Sequence, residues 1–411
     1  MLVEFGEPPP VASAEDVDTY DPGRYQAVGQ HGLWRLLRAT QPVRRDVAAN
    51  GTPYWSFFRY HDCDAILKDA ATFTSECGTI LASVGADDPA GGKTITLMDP
   101  PGHTQLRRPA SRCLGPATVR SRAEEIRRSV AEIVETVLET GTVDMAEVLR
   151  RLPMAVAGPL TGIAPEHWDS IAFSATASVA PDDPVFAIGR DAADTLRRAH
   201  HRLFSSFADT IQSCRARPGL DLVSELLVSE VGGRRLDDQR VLLNCYSFIL
   251  GANATTPHVA AHLLIALADR PALWQEILDA PDLIESLIEE GVRWSSPTNH
   301  LIRRATRDVE LAGVAMRESD WVCAWVASAN RDEAIFADPY HFDARRSPNP
   351  HLGFGAGPHY CIGAPSSRLA LRALLGELAR QRVRFEVVGP PGHLRSNWIN
   401  GITTLPMRFL A

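Results

Sequence analysis

The chain has 411 residues, 45% of them hydrophobic and 22% charged, the composition of an ordinary globular protein with ample material for a large core. A formal charge of −8 argues against nucleic acid as the main partner, because neutralising phosphates needs a clustered excess of Lys and Arg. Seven cysteines, odd in number and scattered without Cys-x-x-Cys spacing, point to reduced thiols and a cytoplasmic setting.

The stretch Met1–Asp21 is acidic and carries Pro8, Pro9 and Pro10, without the basic and apolar regions of a signal peptide. Residues 1–20 read as a flexible arm. Tyr54–Arg59 reads as a strand and His61–Lys68 as the start of a helix, while Gly78–Thr94, rich in Gly, Ser and Ala, reads as a mobile loop near a site. Helical periodicity then dominates over Ala123–Leu138, Ala192–Cys214, Asp237–Ala268, Pro271–Leu278 and Leu283–Arg293. Between the first two, Trp168–Arg190 breaks the pattern with Pro181 and Pro184, as a hinged lid would. Strand character returns at Asp308–Val314, Trp321–Trp325, Arg384–Val388 and Ile402–Phe409.

The most apolar run, Val241–Ala268, is long enough to span a bilayer but carries Asn244, Asn253, Thr255, Thr256, Pro257, His258 and His262. Polar groups at that density are costly in lipid, so a long buried helix with functional polar groups is expected and no membrane partner. No linker, charge block or repeat divides the chain. A single domain over residues 1–411, mainly α with a small β region, follows.

One thiol stands apart. Cys361 lies in Phe354-Gly355-Ala356-Gly357-Pro358-His359-Tyr360-Cys361-Ile362-Gly363, followed by a helical run Ala364–Arg380 whose positive N-terminal end faces the sulfur. Glycines on both sides let the backbone approach a flat ligand. A lone cysteine in a turn is more often a core residue, but Phe-Gly-x-Gly-x-His-x-Cys-x-Gly resembles the haem-ligand loop of the cytochrome P-450 family, whose axial ligand is a Cys thiolate.

That resemblance extends from Tyr20 to Phe409. It implies the cytochrome P-450 fold, a triangular helical prism with haem b between a long central helix and the helix after the Cys loop. Cys361 is then the iron ligand, with Phe354, Gly355 and Gly363 around it. Met98-Asp99-Pro100-Pro101-Gly102-His103-Thr104-Gln105-Leu106-Arg107 resembles the family's third-helix signature. His103 and Arg107, together with Arg303 and His359, match its haem-propionate ligands, and His351 is a weaker fifth. Glu290 and Arg293, completed by Arg346, match the structural Glu-x-x-Arg pair and its later arginine.

In the family the central helix carries a small-residue, acid and alcohol run at the oxygen site. Here it reads Gly251-Ala252-Asn253-Ala254-Thr255-Thr256, with the alcohol kept as Thr255 and Ala254 in place of the acid. A rival register sets Asn253 at the acid and Ala254 at the alcohol. In either no carboxylate stands in the relay, so protons are expected through water, Asn253 or the substrate's own polar group, or the reaction depends less on an efficient relay.

The resemblance further implies a bacterial-type monooxygenase that activates O2 with electrons passed from NAD(P)H by ferredoxin reductase and ferredoxin. Family pocket walls correspond to Ile80–Val84, Phe173–Ile188, Phe248–Thr255, Thr298–Ile302 and Trp398–Thr403. These bring Phe248, Gly251, Thr298, Asn299, His300, Trp398, Ile399 and Ile402 toward substrate. The polar side chains there, with Asn397 and Asn400, favour an aromatic or amide-bearing natural-product intermediate, hydroxylated or joined through a ring or C–C bond, over a fatty acid or terpenoid. A haem-thiolate sensor without turnover is the alternative that the missing acid keeps open.

Overall fold

The computed structural model of the protein describes residues 18–26 and 29–410. Its longest helices are Gly102–Leu114, Ala123–Thr140, Ala192–Ala216, Asp238–Asn253, Thr256–Ala268 and Ala364–Arg380. A five-stranded sheet runs in the order Val43–Val47, Pro53–Phe57, Trp321–Ala324, Leu301–Ala305, Phe73–Thr74. Within it Pro53–Phe57 and Trp321–Ala324 pair parallel and the other neighbours antiparallel. Pro406–Leu410 lies between Arg384–Val387 and Thr142–Asp144 in a second sheet. The sequence pattern does not mark Val43–Val47 or Leu301–Ala305, where paired arginines interrupt the apolar alternation.

Most of the expected arm lies outside the described residues. Its end does not behave as an arm: the Thr19 hydroxyl is buried, donating to Asp46 at 3.2 Å and sharing a hydrogen bond with Tyr54. The lid expected over Trp168–Arg190 also needs correcting. Trp168–Val179 is a regular helix packed on Ala192–Ala216, and Pro181 and Pro184 fall in the connection after it. Buried Asp183 pins that connection, accepting the Val185 N–H at 2.9 Å and the Arg395 N–H at 2.8 Å.

The expected single helix Asp237–Ala268 is two. Asp238–Asn253 ends where Pro257, which has no N–H, leaves the Asn253 carbonyl without its helical donor. Thr255 leaves helical geometry at φ −128°, ψ −54°, and the ladder restarts as His258 and Val259 donate to its carbonyl at 3.1 Å. Twelve of the thirteen residues of Thr256–Ala268 are buried, so protein surrounds this apolar segment on all sides. Among the described residues no helix is long and apolar enough to cross a membrane.

The path into the Cys361 loop is set by one buried carboxylate. Glu290, on helix Ile284–Ser295, takes two bonds of 2.7 Å from Arg293, and both side chains are fully buried. Arg346 adds bonds of 3.2 and 3.3 Å, the Asp343 N–H one of 2.9 Å and Asn349 one of 3.2 Å. The same arginines reach the carbonyls of Asn330, Ala337, Pro339 and His341. Desolvating such charges is offset only because nearly every donor finds an acceptor.

Two buried histidines tie the C-terminal hairpin down. His300 accepts the Leu81 N–H at 3.0 Å through Nε2, so its Nδ1 carries the proton donated to the Asn397 carbonyl at 3.1 Å. His258 accepts the Ile402 N–H at 3.2 Å. Burial pushes each ring down to about 3.

Glu290→Ala strands two arginine charges and should lower unfolding stability by about 3–5 kcal/mol; a loss below about 1 kcal/mol in urea titration of the holoprotein would contradict the network's role. Since both histidines stay neutral in the fold and protonate near 6.5 when unfolded, stability is full above that pH and drains toward about 3. Between pH 6 and 5 these two rings should contribute up to about 2.7 kcal/mol per pH unit to the slope, and His300→Gln should lower it by about 1.3 kcal/mol per unit, with the depressed rings of His31, His103 and His200 adding to what remains. A flat urea profile, or an unchanged slope in the variant, would refute this.

Candidate functional site

Cys361 sits at the end of a loop whose turn is made by two glycines in left-handed backbone geometry. Gly355 and Gly357 take φ of 69° and 65°. A Cβ on Gly357 would lie 2.7 Å from the Leu67 carbonyl oxygen and the Lys68 Cα, so glycine is required where the loop passes helix Tyr60–Lys68. The Cys361 N–H donates to the Phe354 carbonyl at 2.8 Å, folding the loop back on itself. Arg368 braces it from the following helix, over the Phe354 ring at 4.5 Å and bonded to Glu289 at 2.6 and 2.8 Å.

The Cys361 side chain is exposed, but into a cavity. Burial within the molecule pushes its thiol up, while N–H groups of Gly363 and Ala364 and the guanidinium of Arg107 favour the thiolate. Phe354, Gly355 and Gly363 line the same cavity.

Arg107, Arg303 and His359 also line it. Arg107 projects from helix Gly102–Leu114 and donates to the Tyr360 carbonyl at 2.5 Å. Arg303 is 2% exposed, donates to the Ile302 carbonyl at 2.8 Å and pairs with no carboxylate among the described residues; burial lowers it to about 10. His359 lies 3.2 Å from the Ser75 hydroxyl and 3.3 Å from Asp99. His103 stands behind this wall, its ring 4.4 Å from that of His359, with Nε2 buried and without a protein partner. A buried cation lacking an anion and an imidazole lacking an acceptor are what a ligand carrying carboxylates would satisfy. With the sulfur on the same cavity, these residues fit haem. His351 is placed differently: it bonds Glu289 at 3.3 Å and the Gly353 N–H at 3.2 Å, away from the cavity wall.

From the central helices, Phe248, Gly251, Ala252, Ala254, Thr255 and Thr256 face the cavity. The Thr255 hydroxyl donates to the Gly251 carbonyl at 2.9 Å, a back-bond that suits the bend. Asn253 does not face it: its amide donates to the Ile249 carbonyl at 2.9 Å beside the Met154 sulfur. The structure therefore favours the register that pairs Ala254 with Thr255 and removes Asn253 from the candidate proton carriers.

Of the remaining pocket candidates, Thr298 and Trp398 line the cavity. Asn299, His300, Ile399 and Ile402 do not. Asn299 donates to the Asn397 carbonyl at 3.1 Å, His300 spans Leu81 and Asn397, and Asn400 donates to the Ser295 carbonyl at 2.6 Å. Ile399 pairs with Thr298 as an isolated bridge and packs with Phe173 and Ile188 in a separate core cluster. Segment Ile80–Val84 likewise stays off the wall, which Thr79, Ile95 and Thr96 form instead. The sequence reading also missed helix Leu152–Thr161, whose Pro153, Val156, Ala157 and Leu160 line the cavity. Its run is apolar without period, and Pro153 and Pro159 disguise it, although Pro153 sits in the first turn where proline is harmless.

The model of the cytochrome P-450 family matches residues 182–393. Linalool 8-monooxygenase of Pseudomonas putida is 29% identical over 95% of this chain and 98% of its own. A Mycobacterium marinum cytochrome P-450 solved in complex with pseudoionone is 30% identical with a TM-score of 0.89, covering 97% of this chain and 100% of that one. Cytochrome P-450 OxyD, involved in the biosynthesis of vancomycin-type antibiotics, is 31% identical with a TM-score of 0.86, covering 96% and 100%. The chain belongs to the cytochrome P-450 family, monooxygenases that use haem b with a cysteine thiolate as axial ligand and O2 as co-substrate.

Proposed function

We propose that the protein is a haem-thiolate monooxygenase, one domain built around one site, that oxidises a small, mainly apolar natural product with electrons from ferredoxin and ferredoxin reductase. The observation that carries this reading is the single cavity: Cys361, Arg107, Arg303 and His359 share it with Gly251 and Thr255. Bound there, haem b supplies the O2 chemistry and the oxidising power. Cys361 would hold the iron and Arg107, Arg303, His103 and His359 would meet the propionates, while the helix break brings the Thr255 hydroxyl and small residues to the cavity wall.

The amide-bearing part of the sequence expectation loses its support, because Asn299, His300, Asn397 and Asn400 do not line the cavity and each makes a hydrogen bond to backbone. Phe248 and Trp398 on the wall still suit an aromatic or terpenoid-like skeleton. Proton supply is the site's weak step. The Ala254 methyl offers no proton and Asn253 faces away, so water or the substrate must relay protons to Thr255.

Ala254→Glu should therefore lower peroxide released per NADPH and raise product severalfold, measured with a ferredoxin and ferredoxin reductase supply. Unchanged coupling and turnover would contradict a proton-limited site, and absence of any oxidised product across aromatic and terpenoid panels would contradict the monooxygenase reading.

A further inference from the structure

The cavity wall is polar in one place away from the haem ligands. Thr96 and Ser247 both line the cavity and their hydroxyls lie 2.9 Å apart; the Thr94 hydroxyl lies 3.2 Å from that of Thr96. Three hydroxyls joined by two hydrogen bonds use two of their three protons, so one donor and several lone pairs remain. Asn244, one turn before Ser247 and fully buried, holds the loop strand that carries Thr96. It accepts the Ile95 N–H at 2.9 Å and donates to the Lys93 carbonyl at 3.0 Å. The hydroxyl row is thus fixed in register against the central helix.

Ser247, Gly251 and Thr255 recur every four residues, so they share one helical face. At 1.5 Å per residue, Ser247 lies about 12 Å from Thr255. An extended carbon chain advances about 1.3 Å per bond, a third of the Cα–Cα step, so the interval matches roughly nine bonds. Thr96 is exposed, which places the row toward the wet end of the cavity.

We propose that Ser247 and Thr96 form a polar anchor that holds a hydroxyl or carbonyl oxygen of the substrate and so sets which carbon reaches the oxygen site. This deepens the monooxygenase reading and rests on it. The substrate class it names is a mainly apolar molecule with one oxygen function at one end and its oxidised carbon roughly nine bonds away.

The test uses the holoenzyme with decan-1-ol and 1-fluorodecane, alike in length but differing in the hydroxyl. Calorimetric titration should show decan-1-ol binding roughly five- to tenfold tighter, as one net hydrogen bond provides. Ser247→Ala and Thr96→Val should each erase that preference while leaving 1-fluorodecane affinity and thermal melting unchanged. Lengthening the probe to dodecan-1-ol should keep the oxidised position fixed when counted from the hydroxyl, and the variants should scatter it. Equal affinities for the two probes in the unmodified enzyme, a preference that survives both substitutions, or oxidation fixed relative to the methyl end would each overturn the anchor. Because calorimetric affinity does not depend on turnover, failure of the anchor is distinct from failure of the proposed reaction, which would appear as binding without oxidised product.

Discussion

The approach to the site is fixed by a buried carboxylate that does not itself line the cavity. Glu290 gathers two arginines, a backbone N–H and an asparagine, and those arginines fasten the carbonyls of residues 330–341. This irregular stretch has no long helix or strand to give it shape, yet it must deliver the Cys361 loop to a fixed place. Charge supplies what hydrogen-bond ladders supply elsewhere. A buried ion network of this kind is weak evidence for stability, but it is well suited to specifying one path among many.

From that fixed path the loop meets the central helices, and there the decisive residue is one with no polar chemistry. Pro257 removes a backbone donor, the helix opens at Ala254-Thr255, and the threonine hydroxyl turns to the Gly251 carbonyl beside the cavity. A bend in the helix and a missing acid therefore coincide. The conformation that exposes Thr255 is retained while the usual adjacent proton source is absent.

How much of this was readable in the chain depends on whether the signal was local. The Cys361 loop, the helix boundaries of Ala192–Ala216 and Ala364–Arg380, and the Glu290–Arg293 spacing are written in adjacent residues. The substrate wall is not. Asn299, His300 and Asn400 looked like pocket groups because they are polar and near Trp398, but whether a polar side chain faces ligand or backbone is decided by tertiary partners such as Leu81, Asn397 and Ser295. For the same reason Thr96 and Ser247 stayed invisible, being 151 positions apart and ordinary in composition. The break at Thr255 was legible in Pro257, yet the continuous apolar run from Val241 to Ala268 outweighed it.

The claim that unites these observations is that the Cys361 sulfur, presented to this cavity, is the iron ligand. The most direct test is the ferrous carbonyl spectrum of the holoprotein beside that of Cys361→His. The unmodified protein should give the strongly red-shifted Soret band of a thiolate-ligated complex, and the variant should bind haem but lose that shift. An unshifted band in the unmodified protein, or the same red-shifted band in both, would contradict the assignment.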